Sequence, residues 1–488
     1  MNPQNKNINP LTKEESFRDI ASTIGDDGKR NWIYPKKPSG YYYNIRNVLS
    51  WFLLGFLFAG PFITINGNPL LLLNILERKF IIFGVVFWPQ DFYLLFLAMI
   101  TFIIFIVLFT AIWGRLFCGW VCPQTIFMEM LFRKVEYWIE GDYIAQKKLD
   151  KSPLNREKII KKGSKHFIFF GLAFLIAHVF LMYVIGKDEV FAIVSSPPTE
   201  HLAGFIAIII FSLVFYGVFA RFREQVCIVA CPYGRLQSVL VDNDSIAVTY
   251  DFARGEERAK AGVRKRIDGV VTNEPRDASS PQNLGDCIDC EQCVKVCPTG
   301  IDIRNGIQLE CINCTACMDA CDDVMRKVGK PEELITYTSH NAVEEGRKQR
   351  FFTPRVVGYL AVFAVFLGLF TYFFLTRPEI HTVILREPGM LYNALPDNRF
   401  SNFYNAKFFN KTFNELEIEL KLHTPGGEIQ FLGALEPVPG QQQLERRLMV
   451  FMDGDQLAGS STPIEFGIYQ DGKLIQTIRS GFVGPHQN

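Results

Sequence analysis

Cysteine is absent from the last 167 residues of this 488-residue chain, and all twelve cysteines lie between Cys118 and Cys321. A secreted protein stapled by disulfides would not confine them in this way, so that class is set aside. Residues 1–46 are polar and mixed in charge and lack a short apolar core near Met1, so no signal peptide is expected at this end. No Gly-rich dinucleotide fingerprint and no flavin site can be picked out. Histidine is scarce, with seven in all. Only His178 lies well inside an apolar run, with His166 at that run's start. A membrane b-type haem needs two axial histidines from facing helices, so no haem is expected, and His178 reads as a packing residue despite the functional suspicion that attaches to intramembrane ionisable groups. The net charge of +1 says little, because charge is unevenly placed, and nucleic acid is not among the expected partners.

What the chain has in excess is apolar residues: 49% are hydrophobic and 44 are Phe. Five charge-poor stretches are long enough to cross a bilayer as helices: about 48–65, where Pro61 is expected to kink the helix, 92–113, 167–185, 202–220 and 356–375. Pro69 to Asp91 holds an apolar piece too short to span, expected as a β-hairpin, re-entrant or interfacial segment. The 114–165 loop carries eleven Lys/Arg, whereas residues 186–201 carry only Lys187, and the loop between the first two spans has Arg78 and Lys79. Positive charge favours the cytoplasmic side. The expected order is a cytoplasmic tail (1–46), four spans within 47–220, a cytoplasmic segment (221–355) with a ferredoxin domain at about 280–325, a fifth span (356–375), and an outer, periplasmic domain (380–488). All twelve cysteines then face a reducing compartment.

The chain is organised around two cysteine runs, Cys287-x2-Cys290-x2-Cys293-x3-Cys297-Pro298 and Cys311-x2-Cys314-x2-Cys317-x3-Cys321. This spacing wraps cubane iron–sulfur clusters, three thiolates coming from one turn and the fourth from the other run. Cys287, Cys290, Cys293 and Cys321 are therefore expected to hold one [4Fe–4S] cluster, and Cys311, Cys314, Cys317 and Cys297 the second. Zinc sites usually separate two C-x2-C units by a longer gap. The second run departs from the pattern: Asp322-Asp323 stands where proline is expected.

The other four cysteines form a repeat, Cys118-Gly119-Trp120-Val121-Cys122-Pro123 and Cys227-Ile228-Val229-Ala230-Cys231-Pro232, each just past a span and flanked by arginines. Spacing i, i+4 places two thiols on one helical face, and the proline ends the helix at the second. Soft thiolates favour Cu(I). If the second and fourth spans pack together, all four sulfurs converge. A third iron–sulfur cluster, a structural zinc site, and plain burial of small residues remain open alternatives. Met128 and Met130 follow the first pair and read as core.

Residues 380–488 read as β-structure. Glu415 to Leu422 alternates polar and apolar residues. Gln470-Asp471-Gly472-Lys473 is a hairpin turn signal. Several short strands suggest an immunoglobulin-like sandwich without its disulfide. His381 and His423 in this region read as surface residues.

Together, Arg78–Phe92, Arg115–Thr125, Cys227 to Pro232, the ferredoxin runs (CINCTACMDACDDVM, Cys311–Met325) and Asn405–Thr412 resemble the FixG/CcoG (RdxA) family of accessory proteins linked to cbb3-type cytochrome c oxidase. The resemblance covers nearly the whole chain after residue 40. It implies a bacterial inner-membrane polyferredoxin with two [4Fe–4S] clusters and a periplasmic Ig-like domain. It also implies reduction of Cu(II) to Cu(I) for the oxidase copper centre, with copper handled by Cys118, Cys122, Cys227 and Cys231. The partners it implies are oxidase assembly factors and a copper chaperone or transporter; a homodimer stays open. The electron donor is a partner protein or a quinol. Two rival readings are a quinol-linked membrane ferredoxin, resembling NapH and NosR, and an assembly scaffold with structural or sensing clusters.

Overall fold

The computed structural model describes residues 29–485 apart from 66, 76–78, 259–264, 268–269, 273–284, 390, 397 and 435. Most of the expected N-terminal tail, Arg78, and the start of the expected ferredoxin domain lie outside the described residues.

Five helices are long and apolar enough to cross a membrane: Tyr41–Phe62, Phe92–Trp113, Arg156–Ile185, Leu202–Phe222 and Pro354–Leu375. The chain is a multi-pass membrane protein. The first span departs from expectation at both ends. Its α-helix covers Tyr41–Ala59 and closes in a single 3-10 turn at Gly60–Phe62, because Pro61 has no N–H to continue the ladder. Residues 64–65 are already strand. The third helix begins eleven residues before the expected start. Asn155 caps it by accepting from the Lys158 N–H, which leaves a basic first three turns ahead of the apolar stretch.

The chain divides into two compact units. In the unit of residues up to 60 and 97–368, an antiparallel pair of strands, Ala247–Tyr250 and Ile335–Thr338, flanks the cysteine runs. The packed elements therefore reach beyond 280–325. The 114–165 loop is itself folded, with helices Arg133–Ile139 and Tyr143–Lys151. Its Glu136 is buried and ion-paired to Arg223 and Lys165. Three opposite charges so placed stabilise one another only because all are paired.

In the unit of residues 61–96 and 369–488, Leu71–Asn74, Lys79–Ile82 and Val85–Phe87 form the expected small antiparallel element. The C-terminal part is an Ig-like sandwich of seven main strands: β1 Ile380–Arg386, β2 Arg399–Asn410, β3 Glu419–Leu422, β4 Gly427–Phe431, β5 Gln443–Asp453, β6 Ser461–Gln470 and β7 Lys473–Val483. One sheet runs β1-β2-β5-β4 and the other β3-β6-β7. Alternation points Tyr404, Phe408, Leu448, Val450, Phe466 and Ile468 into one core. The β6–β7 turn pairs Gln470 with Lys473; Asp471 and Gly472 both have positive φ, as a two-residue hairpin requires. The alternation over Glu415–Leu422 is only partly strand: Leu416 makes a single bridge to Val438, and the ladder starts at Glu419.

Candidate metal centres

The two long cysteine runs fold as a repeat. Asp289 and Glu291, either side of Cys290, have φ of 50° and 56°; Asn313 and Thr315, either side of Cys314, have 53° and 65°. None is glycine, and left-handed backbone with a side chain costs about 1–3 kcal/mol each, so it persists only where the surroundings demand it. Turns of this kind gather N–H groups into a concavity that favours an anion. Each turn feeds a helix, Gln292–Val296 carrying Cys293 and Ala316–Val328 carrying Cys317 and Cys321. Cys297 follows the first helix in extended backbone, ahead of Pro298. Cys321 lies inside the second helix, where a following proline would break the ladder. Asp322-Asp323 is the residue pair this continuation needs.

Cys287, Cys293 and Cys321 are buried in one apolar cluster with Val248, Ile301 and Met318. Burial pushes the Cys321 thiol up, with Cys293, Asp322, Cys290 and Cys287 adding to the shift. Cys297, Cys311, Cys314 and Cys317 line one small cavity together with Cys293. Burial is the main cause that pushes Cys311 up to about 12 and Cys314 up to about 11, with Cys297 contributing to both shifts. The backbone N–H groups of Asn313 and Ala316 reach these two sulfurs and act in the opposite direction. The Tyr250 hydroxyl lies beside Cys287 and, among the described residues, hydrogen-bonds to no nitrogen or oxygen. Buried thiols are unfavourable as thiolates until cations neutralise them, while N–H donors turned toward sulfur favour the charged form. These residues fit iron–sulfur clusters.

Cys118 lies in the helix Leu116–Trp120, and Cys122 caps the helix that starts at Pro123. Cys227 lies in a π-helical turn, Val226–Ala230, and Cys231 caps the helix Pro232–Leu240. Further π-helical segments, Ile126–Phe132 and Val218–Phe222, adjoin the motifs. Such turns often mark functional sites. Burial pushes Cys118 up to about 12, with Cys122 and Cys231 adding to the shift and Arg115 and Gln237 opposing it. Burial also pushes Cys227 up to about 12, with Cys122, Cys118 and Cys231 adding. The two pairs thus lie near one another. All four cysteines are half-buried.

This site touches the ferredoxin fold directly. A Cβ at Gly119 would stand 2.3 Å from the Ile312 oxygen and 2.9 Å from the Asn313 oxygen. Trp120 Nε1 donates to the Asn313 oxygen at 3.2 Å and to the Tyr337 hydroxyl at 2.9 Å. Cys118 packs on the cluster of Val296, Ile312, Cys314 and Ala316, with Cys317 beside it. Buried Arg46 donates from Nε to the Gly119 oxygen at 2.7 Å. The cysteine spacing gives no hint of Arg46, Gly119, Trp120, Asn313 or Tyr337. One signal was available: the first short motif has glycine where the second has Ile228.

Met128 and Met130 are core residues, buried with Phe127, Phe132 and Phe219. His178 Nδ1 pairs with the Phe174 oxygen at 2.8 Å. His423 hydrogen-bonds Tyr469, and His381 lies against Phe409.

Residues 222–340 match a family of 4Fe-4S dicluster domains, residues 95–151 a family described as a 4Fe-4S binding domain, and residues 370–485 the Ig-like fold at the C-terminus of FixG. Protein RdxB of Cereibacter sphaeroides is 32% identical over 455 residues, covering 89% of this chain and 90% of that protein. Protein RdxA of the same organism is 32% identical over 416 residues, 82% of this chain and 83% of that one. Nitrogen fixation protein FixG of Rhizobium meliloti is 30% identical over 436 residues, 81% and 79% of the two chains.

Proposed function

The chain belongs to the FixG/RdxA family, a membrane iron–sulfur redox protein, and we propose that it reduces Cu(II) to Cu(I) for the copper centre of a cbb3-type cytochrome c oxidase. Cys287, Cys290, Cys293 and Cys321 would hold one [4Fe–4S] cluster, and Cys297, Cys311, Cys314 and Cys317 the other; such clusters supply single electrons. Cys118, Cys122, Cys227 and Cys231 receive Cu(II) as substrate. Their thiolates are soft and favour the Cu(I) product, which makes the one-electron reduction more favourable. Binding releases thiol protons. The observation that carries this reading is the packing of Gly119 and Cys118 on the Ile312–Cys317 segment. It brings the four-sulfur site within contact of the cavity wall. The Lys/Arg asymmetry supports an inner-membrane protein with its N-terminus and cysteines cytoplasmic and the Ig-like domain periplasmic. Cu(I) would then leave to a copper chaperone or an oxidase assembly factor.

The test is anaerobic. Reduced, cluster-loaded protein receives Cu(II), a chromophoric chelator reports Cu(I), and absorbance follows cluster reoxidation. A variant with Cys118, Cys122, Cys227 and Cys231 all changed to Ser should keep its clusters and form no Cu(I). If it behaves as wild type, copper is an adventitious oxidant and the reading fails.

The match of residues 95–151 to a family described as a 4Fe-4S binding domain favours a second reading, in which the four cysteines hold a third cluster. Iron content separates the two: about eight per chain for two clusters, about twelve for three.

A further inference from the structure

A groove lies beside the second ferredoxin cysteine run. Its outer half is lined by Asp242, Phe252, Arg304, Ile307, Leu309 and His340. Its inner half shares Val241, Ile307, Gln308 and Leu309, and is closed by Arg115, Val248, Cys311 and Asn313. The groove sits where membrane helices end. Ile246 N–H donates to the Ile112 oxygen and Ser245 Oγ to the Ala111 oxygen, both at 2.8 Å, at the end of the second span. Asp242 accepts from Arg355 at 2.7 Å, at the start of the fifth. Nearby apolar side chains are left uncovered: Leu309 is 55% exposed and Val239, on the helix that ends at the groove, 79%. Apolar residues exposed level with helix ends are suited to the membrane interface.

Two polar atoms in this lining make no hydrogen bond among the described residues. Asn313 is 2% exposed. Its Oδ1 accepts from the Val248 N–H at 3.3 Å, which fixes the amide orientation, while Nδ2 has no hydrogen bond. His340 Nδ1 also has none, the Glu344 carboxylate standing 3.6 Å away, and the imidazole lies over Phe252 at 5.1 Å. A buried donor left unpaired costs about 1–3 kcal/mol, so a ligand that satisfies it is favoured.

We infer that this groove binds the head group of a membrane quinol, the electron donor to the chain. The inference rests on the reading of the eight ferredoxin cysteines as cluster ligands. A flat ring with two opposed oxygens suits an apolar slot with one polar atom at each end. It reaches the slot from the lipid side, and Cys311 lies in the inner wall. Oxidation of one hydroquinone to quinone breaks two O–H bonds and releases two electrons and two protons. The clusters that the eight ferredoxin cysteines would hold could take up the two electrons, one each. His340 takes one proton at Nδ1, the second passes to water in the open outer half of the groove, and Asn313 Nδ2 donates to a quinone oxygen.

The experiment uses the full-length, cluster-loaded protein in detergent with decylubiquinol as probe. Calorimetric titration reads binding of its oxidised form, and anaerobic absorbance reads cluster bleaching by the quinol. Leu309→Trp fills the groove from an exposed position; His340→Ala removes the proton acceptor. Leu309→Trp should weaken binding about tenfold, a loss of about 1.4 kcal/mol, and slow bleaching in step. His340→Ala should slow bleaching more than it weakens binding. Both should keep wild-type iron content. The inference is overturned if the quinone does not bind, or if both variants bind and bleach as wild type does. In that case Cu(I) formation by dithionite-reduced protein still stands. If instead dithionite-reduced protein forms no Cu(I) while the quinol binds and bleaches, the copper reading fails and this one survives.

Discussion

The two units bury their residues by different means. The sheet-rich unit closes on itself: its core residues Tyr404, Phe408, Leu448, Val450, Phe466 and Phe482 have no exposed surface. Its buried carboxylate Asp91 is met by Arg377 and Lys411, with Trp88 packed on Phe409 at 5.2 Å. The cysteine-bearing unit is complementary to groups the chain does not itself supply. Around its cysteines stand atoms that, among the described residues, hydrogen-bond to no nitrogen or oxygen: Tyr250 OH, Asn313 Nδ2, Gln237 Nε2 and one nitrogen of Arg46. A fold of the first kind needs only its sequence. The second kind needs its ligands as well.

Iron removal should therefore divide the molecule. Chelation under reducing conditions is expected to strip amide-exchange protection from residues 287–325 by several orders of magnitude and leave β1–β7 unchanged. Uniform loss, or none, would contradict the comparison. Cys314→Ser should act in the same way, while Cys227→Ser should leave protection and iron content intact and abolish Cu(I) formation.

The sheet-rich unit has its own weak point. Asp91→Asn leaves Arg377 and Lys411 buried against a neutral group and should cost about 3–5 kcal/mol, read as a lower thermal midpoint for this unit alone. Burial by itself would raise the Asp91 pKa, but Lys411 and Arg377 outweigh it and hold the carboxyl below its ordinary value. A depressed carboxylate gives stability that is complete above the unfolded value, about 4, and is lost as pH falls through the folded one. The acid limb of this unit should accordingly start below about pH 4 in wild type and flatten in the Asn variant.

Sequence carried the local rules well and the long-range ones poorly. Cysteine spacing marked the repeat because each turn is built from neighbours. Asp471-Gly472 marked its hairpin because left-handed backbone selects those residues. The long apolar runs marked five helices because the bilayer sets their length. Helix ends were less legible. The first span starts at Tyr41 and not near Val48 because of a residue 278 positions away, Asp319. The convergence of Cys118 with Cys227, and the contact of Gly119 with Ile312, depend on packing between distant segments. No periodicity encodes either.

Gly119→Ala probes that contact. The added Cβ meets backbone oxygen, which cannot rotate away, so the short motif must move off the ferredoxin loop at a cost of about 1–3 kcal/mol. Iron content should stay at wild-type level. The rate of Cu(I) formation from reduced protein should fall roughly tenfold or more, since a displacement of about 1 Å already costs large factors. An unchanged rate would mean that electrons reach copper by another route.

The smallest expected effect tests whether the cysteine unit is tied to the membrane by the ferredoxin helix itself. Asp319, on the helix that carries Cys317 and Cys321, accepts from the Tyr42 and Tyr43 N–H groups at 3.0 and 2.8 Å and so caps the first span. The fit is close: Gly40 has φ 147°, and a Cβ there would stand 2.3 Å from the Asp319 carboxyl carbon. A carboxylate at this position satisfies orphan N–H groups and opposes the positive end of the helix dipole. Asp319→Ala should cost about 1 kcal/mol, and Asp319→Asn, which keeps an acceptor, only part of that. Since the cap joins the cluster-bearing helix to a span, the loss should appear in both as one cooperative shift, seen in amide exchange at Tyr42–Tyr43 and in the rate of iron release. If the exchange rises and iron release does not, the two elements fold independently and the cap is local.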